Sequence, residues 1–142
     1  MQMGNSLVIS SFLSSLVSAG GLDVAGNSTI SCYKGTIPTD TALTTFTPAS
    51  RASDLLATFS NMTFQVLGNA LVLNNAPAAV YPYANGTITW AAIQGQNNIN
   101  IILEPSVSGG QGALILSSLA AATSTLLSVD SSGSGVSIVF YQ

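Results

Sequence analysis

YPYANGTITW, residues 81–90, holds two of the chain's four tyrosines, its only tryptophan, and an Asn-Gly pair between them. Two readings compete: an exposed aromatic platform for a ligand such as a sugar, or a hairpin that feeds a hydrophobic core. Asn85-Gly86 is a strong two-residue turn signal, because both positions of a type I′ turn need φ > 0, which Asn and Gly tolerate. Beyond it, strict alternation places Ile88, Trp90 and Ala92 on one face and Thr87, Thr89 and Ala91 on the other. Trp90 therefore shares a face with Ile88, as a core residue does. Tyr81 and Tyr83 flank Pro82, which has no N–H for a sheet ladder and confines that arm to an edge or an irregular stretch. These two tyrosines are the candidate exposed aromatics.

The same strand-and-punctuation pattern runs outward from this stretch. STISCY, TFQVL, ALVLN, TITWAAI, NINIIL, ALILSS, TLLSV and VSIVFY are short, rich in Val, Ile, Thr, Leu and aromatics, and separated by Gly, Asn, Pro or Ser. SRASDLLATF reads as a helical turn leading into a strand, and LSSLAAATSTLLS is ambiguous between helix and strand. The expectation is a mainly β chain, an antiparallel β-sandwich or barrel-like domain over residues 27–142. Before it, residues 1–26 form an amphipathic helix or arm. Ile9, Phe12, Leu13, Leu16 and Val17 recur at helical spacing, Asn5 or Ser6 can cap the start, and Gly20-Gly21 can end it. The opposite face is serine, so this helix needs a surface to pack on, either its own β-domain or another subunit.

The 142 residues suffice for one domain with its own core. Charge is the unusual quantity: only 5% of residues are Asp, Glu, Lys or Arg, against about 25% in an ordinary soluble protein. Polarity comes instead from Ser, Thr, Asn, Gln and 13 glycines. Neutral hydroxyls and amides are buried against a partner at less cost than charges, so this composition suits a surface occupied by neighbours. Lys34 and Arg51 are the only cations and the net charge is −3, which excludes nucleic-acid binding through phosphate neutralisation. The apolar run near the N-terminus has no preceding Lys or Arg and is broken by serines. It reads neither as a signal peptide nor as a membrane span.

The catalytic inventory is sparse. There is no histidine, which removes the usual general base and most metal constellations. Asp23, Asp40, Asp54, Glu104 and Asp130 are scattered, with no calcium-loop spacing. The one cysteine, Cys32, alternates with Ile30 and reads as a small core residue. The glycine-rich stretches SVSGGQGA (106–113) and DSSGSGV (130–136) lack the Gly-Lys-Ser/Thr ending of a phosphate loop. No catalytic, metal or cofactor-binding residue is expected, and the chain is not expected to be an enzyme.

Taken in order, ISCYKGTIPTDTAL (30–43), LLATF (55–59), NGTITWAAI (85–93) and GVSIVF (135–140), preceded by a short helix, resemble small virion structural proteins of tailed bacteriophages. The resemblance implies a β-rich particle component with no catalytic residues. Its sharpest form is a capsid decoration or cement protein on the outer shell, in contact with the major capsid protein, with copies of itself, or with both, as a homo-oligomer within a larger assembly. The contact residues expected are Leu7, Val8, Phe12 and Leu16 of the helix and Ile37, Pro38, Phe46 and Pro48 of the long 35–53 connection. A tail or baseplate component is the alternative, and a carbohydrate-binding module using Tyr81, Tyr83 and Trp90 is the second.

Overall fold

The computed structural model describes residues 6–37, 48–97, 99–130 and 137–139. The chain is mainly β, with one short N-terminal helix, as the residue pattern predicts. Strands β1 (Thr29–Tyr33), β2 (Leu55–Phe59), β6 (Trp90–Gln94) and β7 (Asn100–Leu103) form an antiparallel four-stranded sheet in the order β2-β1-β6-β7. Strands β3 (Thr63–Leu67), β4 (Ala70–Asn75) and β11 (Ser137–Val139) form a second antiparallel sheet in the order β11-β4-β3. Two small pairs complete it: β5 (Gly86–Thr87) with β10 (Ala120–Ala121), and β8 (Pro105–Val107) with β9 (Leu114–Leu116). The strands described do not close into a barrel. The β8–β9 pair is parallel, an exception to the antiparallel expectation. Its glycine-rich connection folds the chain back tightly, with Gly109 at φ 86° and Gly112 N–H donating to Ser106 Oγ at 3.1 Å.

β6 sits inside the larger sheet, and its register explains how the core divides. Ala57, Cys32, Ala91 and Leu103 line up across the four strands on one face, as do Phe59, Ile30, Ile93 and Ile101. Together with Leu13, Val17, Phe64, Leu71, Leu116 and others, they form one large buried cluster. The other face carries Tyr33, Trp90 and Ala92, packed with Leu55 and Ile102. β6 is thus buried on both faces, so all of Trp90, Ala91, Ala92 and Ile93 are inaccessible. A bulge makes this division possible in β2: Cys32 faces Ala57 but Tyr33 faces Leu55, so Leu56 is the extra residue. Leu56 and Ala57 then both enter the large cluster, while Leu55 reaches the aromatic one.

Two expectations for the 85–93 stretch need correction. Asn85-Gly86 does not form a hairpin, since neither residue has positive φ and β5 pairs with the distant β10 instead. Nor do Ile88 and Trp90 share a cluster: Ile88 joins the large one and Trp90 the aromatic one. The cause is a change of partner within one extended run. Ile88 N–H donates to Leu119 O at 2.8 Å, Thr89 N–H donates to Tyr33 O at 2.9 Å, and ladder pairing with β1 begins at Trp90. LSSLAAATSTLLS is not helical; it supplies β10, and Leu127 and Val129 follow in isolated bridges to Val80 and Leu116.

Helix α1 (Ser6–Gly20) packs on β3 and β4 and buries Leu13 and Val17 in the large cluster. All four of its last carbonyls are satisfied. Gly21, at φ 62°, closes a Schellman turn: Leu22 N–H donates to Val17 O at 2.9 Å and Gly21 N–H to Ser18 O at 3.3 Å. Asn97 Nδ2 donates to Ala19 O at 2.7 Å and Gln96 N–H to Gly20 O at 2.8 Å, both from the β6–β7 turn. The approach is so close that a Cβ on Gly95 would lie 2.7 Å from Gly20 O. Gly95→Ala is therefore expected to separate helix from sheet. Leu13→Ala, which leaves a cavity, is expected to lower the unfolding free energy by about 2–5 kcal/mol in urea titrations. A Leu13→Ala chain as stable as the wild type would show that the helix is not part of the core.

Candidate functional site

Among the described residues the reactive groups are few. Asp23 and Glu104 are exposed, and Asp54 and Asp130 are half-buried. Among the described residues no three His, Cys, Asp or Glu side chains gather where a metal ion could sit. Asp40 lies outside the described residues. A cavity of about 470 Å³ is lined by Ala76, Pro77, Ser108, Ile115, Leu116, Ser117, Ser128, Val129 and Asp130. Among the described residues Asp130 is the only titratable group in that lining, and they bring no acid–base pair together there.

Cys32 lies in the large cluster with no accessible surface. Burial pushes its thiol up to about 12, so the nucleophilic thiolate is suppressed. On the other face, Tyr33 stacks on Trp90 with centroids 4.2 Å apart and planes at 12°. Burial raises the Tyr33 phenol as well, hydrogen bonds to Ser31 and Gln94 pull it partly back, and the nearby Cys32 adds to the rise. Gln94 Oε1 accepts from Ser31 Oγ at 3.0 Å and Thr29 Oγ1 at 3.4 Å, which ties the polar end of this face together. Tyr33 and Trp90 are buried in this arrangement, and Gln94 and Thr29 are half-buried at its polar end.

Among the described residues the outward surface is mostly uncharged, with several large apolar side chains exposed on it. Phe12 is 45% exposed on α1, and Leu16 is half-buried beside it. Ile37, just beyond β1, is 46% exposed. The side chains of Leu7, Val8 and Pro48 lie outside the described part, as do residues Pro38 and Phe46 altogether. Tyr81 and Tyr83 are 60% and 64% exposed, whereas Trp90, grouped with them by sequence, is fully buried. Val24, Leu67, Val107 and Leu126 are further exposed apolar side chains. Sequence reasoning missed these four because Leu67 and Val107 end their strands and Val24 and Leu126 lie in connections, where periodicity carries no information on burial. No helix is long and apolar enough to cross a membrane among the described residues.

Compared with protein-family models, curated proteins and solved structures, the chain shows no match.

The buried thiol has a measurable consequence. The folded chain holds the Cys32 proton up to about 12, whereas an unperturbed thiol releases it near 9.0. Across that window the unfolded state binds fewer protons, so stability is full below pH 9 and falls as pH rises toward 12. Urea midpoints measured through the alkaline range are expected to fall more steeply for the wild type than for Cys32→Ala. Equal slopes would contradict the burial. Thiol reagents at pH 8 are expected to label Cys32 only after denaturation.

Proposed function

We propose that the protein is a non-enzymatic structural subunit that works by packing against neighbouring chains. The observation that carries this reading is the surface: large apolar side chains stand exposed on α1 and beyond β1, in a chain with only 5% charged residues. A surface of this kind loses little when neutral hydroxyls and amides are covered, and it gains from covering its apolar side chains. The absence of histidine and the burial of the single cysteine leave contact as the work available to this chain.

The sharpest form of the reading is a capsid decoration protein on a virion shell, touching the shell subunit and copies of itself, and it rests on the resemblance to small phage virion proteins. Many weak apolar contacts, repeated over a shell, sum to firm attachment without any one being strong. A tail or baseplate subunit is the second form.

Quantitative mass spectrometry of purified particles that carry the chain separates the two. The decoration reading expects hundreds of copies in fixed ratio to the shell subunit; a few to dozens would sink it in favour of the tail. Phe12→Asp and Ile37→Asp are expected to reduce incorporation about tenfold while leaving the circular dichroism spectrum unchanged. Undiminished incorporation of both variants would remove these side chains from the contact.

A further inference from the structure

The stretch from Tyr81 to Trp90 alternates in exposure without a break. Pro82, Ile88 and Trp90 are buried and Ala84 and Gly86 half-buried, while Tyr81, Tyr83, Asn85, Thr87 and Thr89 are all exposed. In chain order the exposed side chains up to Thr87 are aromatic, aromatic, amide and hydroxyl, and the Thr89 hydroxyl follows beyond the change of partner at Ile88–Thr89. The backbone beneath this row is fastened at short intervals. Tyr83 N–H donates to Leu56 O at 2.7 Å, Ile88 N–H to Leu119 O at 2.8 Å, and Gly86–Thr87 pair with Ala120–Ala121. Asn85 Oδ1 accepts from Thr123 N–H at 3.0 Å, and Thr89 Oγ1 donates to Gly35 O at 2.6 Å.

We propose that this row is a binding site for a neutral oligosaccharide or polysaccharide chain. Three features of the row point to that ligand class. First, two tyrosine rings keep most of their surface in water although the same segment buries its other large side chains, and exposed rings are the surfaces on which the C–H faces of a pyranose stack. Second, the polar members are uncharged and amphoteric. Thr89 keeps its lone pairs free to accept, Asn85 has its oxygen committed but its NH2 available to donate, and Thr87 and both phenols do either. A polyhydroxy ligand presents the same mixture of donors and acceptors, whereas an ionic ligand is met by no opposing charge within the row. Third, the backbone fastening fixes the row before binding, so little ordering entropy is lost on association. Lys34 lies alongside, its stem 3.6 Å from where a Gly86 Cβ would stand, and flanks the row without belonging to it. The site is independent of the assembly role proposed above.

Affinity gel electrophoresis of the full chain tests it, with gels containing a soluble β-glucan, a mannan, a galactan or dextran sulfate. Retardation is expected in at least one neutral gel and is expected to persist at about 0.5 M salt, where exposed charge interactions are screened. Tyr81→Ala and Tyr83→Ala are each expected to weaken it about tenfold, and Tyr83→Phe, which keeps the ring, to retain most of it. Both tyrosines are exposed, and unchanged near-ultraviolet dichroism from the Tyr33–Trp90 stack verifies that the variants fold. No retardation in any neutral gel, retardation by dextran sulfate alone, or equal retardation of the double alanine variant overturns the proposal.

Discussion

The structure depends on one strand being covered on both faces. β6 places Ala91 and Ile93 in the large cluster and Trp90 and Ala92 against Tyr33. A strand covered on both faces cannot keep the polar-out alternation of a one-sided sheet, and WAAI has none. The two alanines are as important as the tryptophan. Ala92 lies between Ser31 and Ile102, and Ala91 between Cys32 and Leu103, so each row has small side chains at β1 and β6 and a large one at β7. This spacing lets other elements approach: on one face α1 and the β3–β4 hairpin, whose Leu13, Val17, Phe64 and Leu71 complete the cluster. The β6–β7 turn extends the same dependence, because Gln96 and Asn97 cap the carbonyl end of the helix.

That arrangement sets what the protein can do. Among the described residues its aromatic stack, its thiol and most of its large aliphatic side chains are consumed inside, and the surface carries mainly hydroxyls, amides, single apolar groups and a few charges. The exposed side of α1 and the outward row of 81–89 are both carried on backbone that the core holds fixed. The helix is held through Leu13, Val17 and its cap, and the row through β10, Leu56, Leu119 and Tyr33.

Much of the fold was legible in local sequence. TFQVL and ALVLN coincide closely with β3 and β4, TISCY is β1, and SRASDLLATF gives a 3-10 turn (Pro48–Asp54) running into β2. Gly20-Gly21 ends the helix because Gly21 supplies the left-handed residue of the Schellman turn. The failures share a cause: long-range pairing overrode a local signal. Asn85-Gly86 is a good turn sequence, but Ala120–Ala121 offers β5 a ladder and keeps the stretch extended. The alternation of 87–92 reads as one frame, whereas the change of partner at Ile88–Thr89 moves Trp90 to the opposite cluster. The Leu56 bulge leaves no mark in LLATF. Of the candidate site, the exposed tyrosines were visible through Pro82, but the row beyond them was not. Its outward set is defined by which residues the distant strands bury.

Hydrogen–deuterium exchange followed residue by residue tests the central dependence most directly. If the doubly covered strand organises the molecule, the amides of Ile30–Cys32 and Ala91–Ile93 exchange slowest, and only through global unfolding. The β3–β4 amides and the helix then open at lower free energy. Contradiction would come from β1 and β6 exchanging faster than the β3–β4 hairpin or the helix, which would place the stable centre elsewhere.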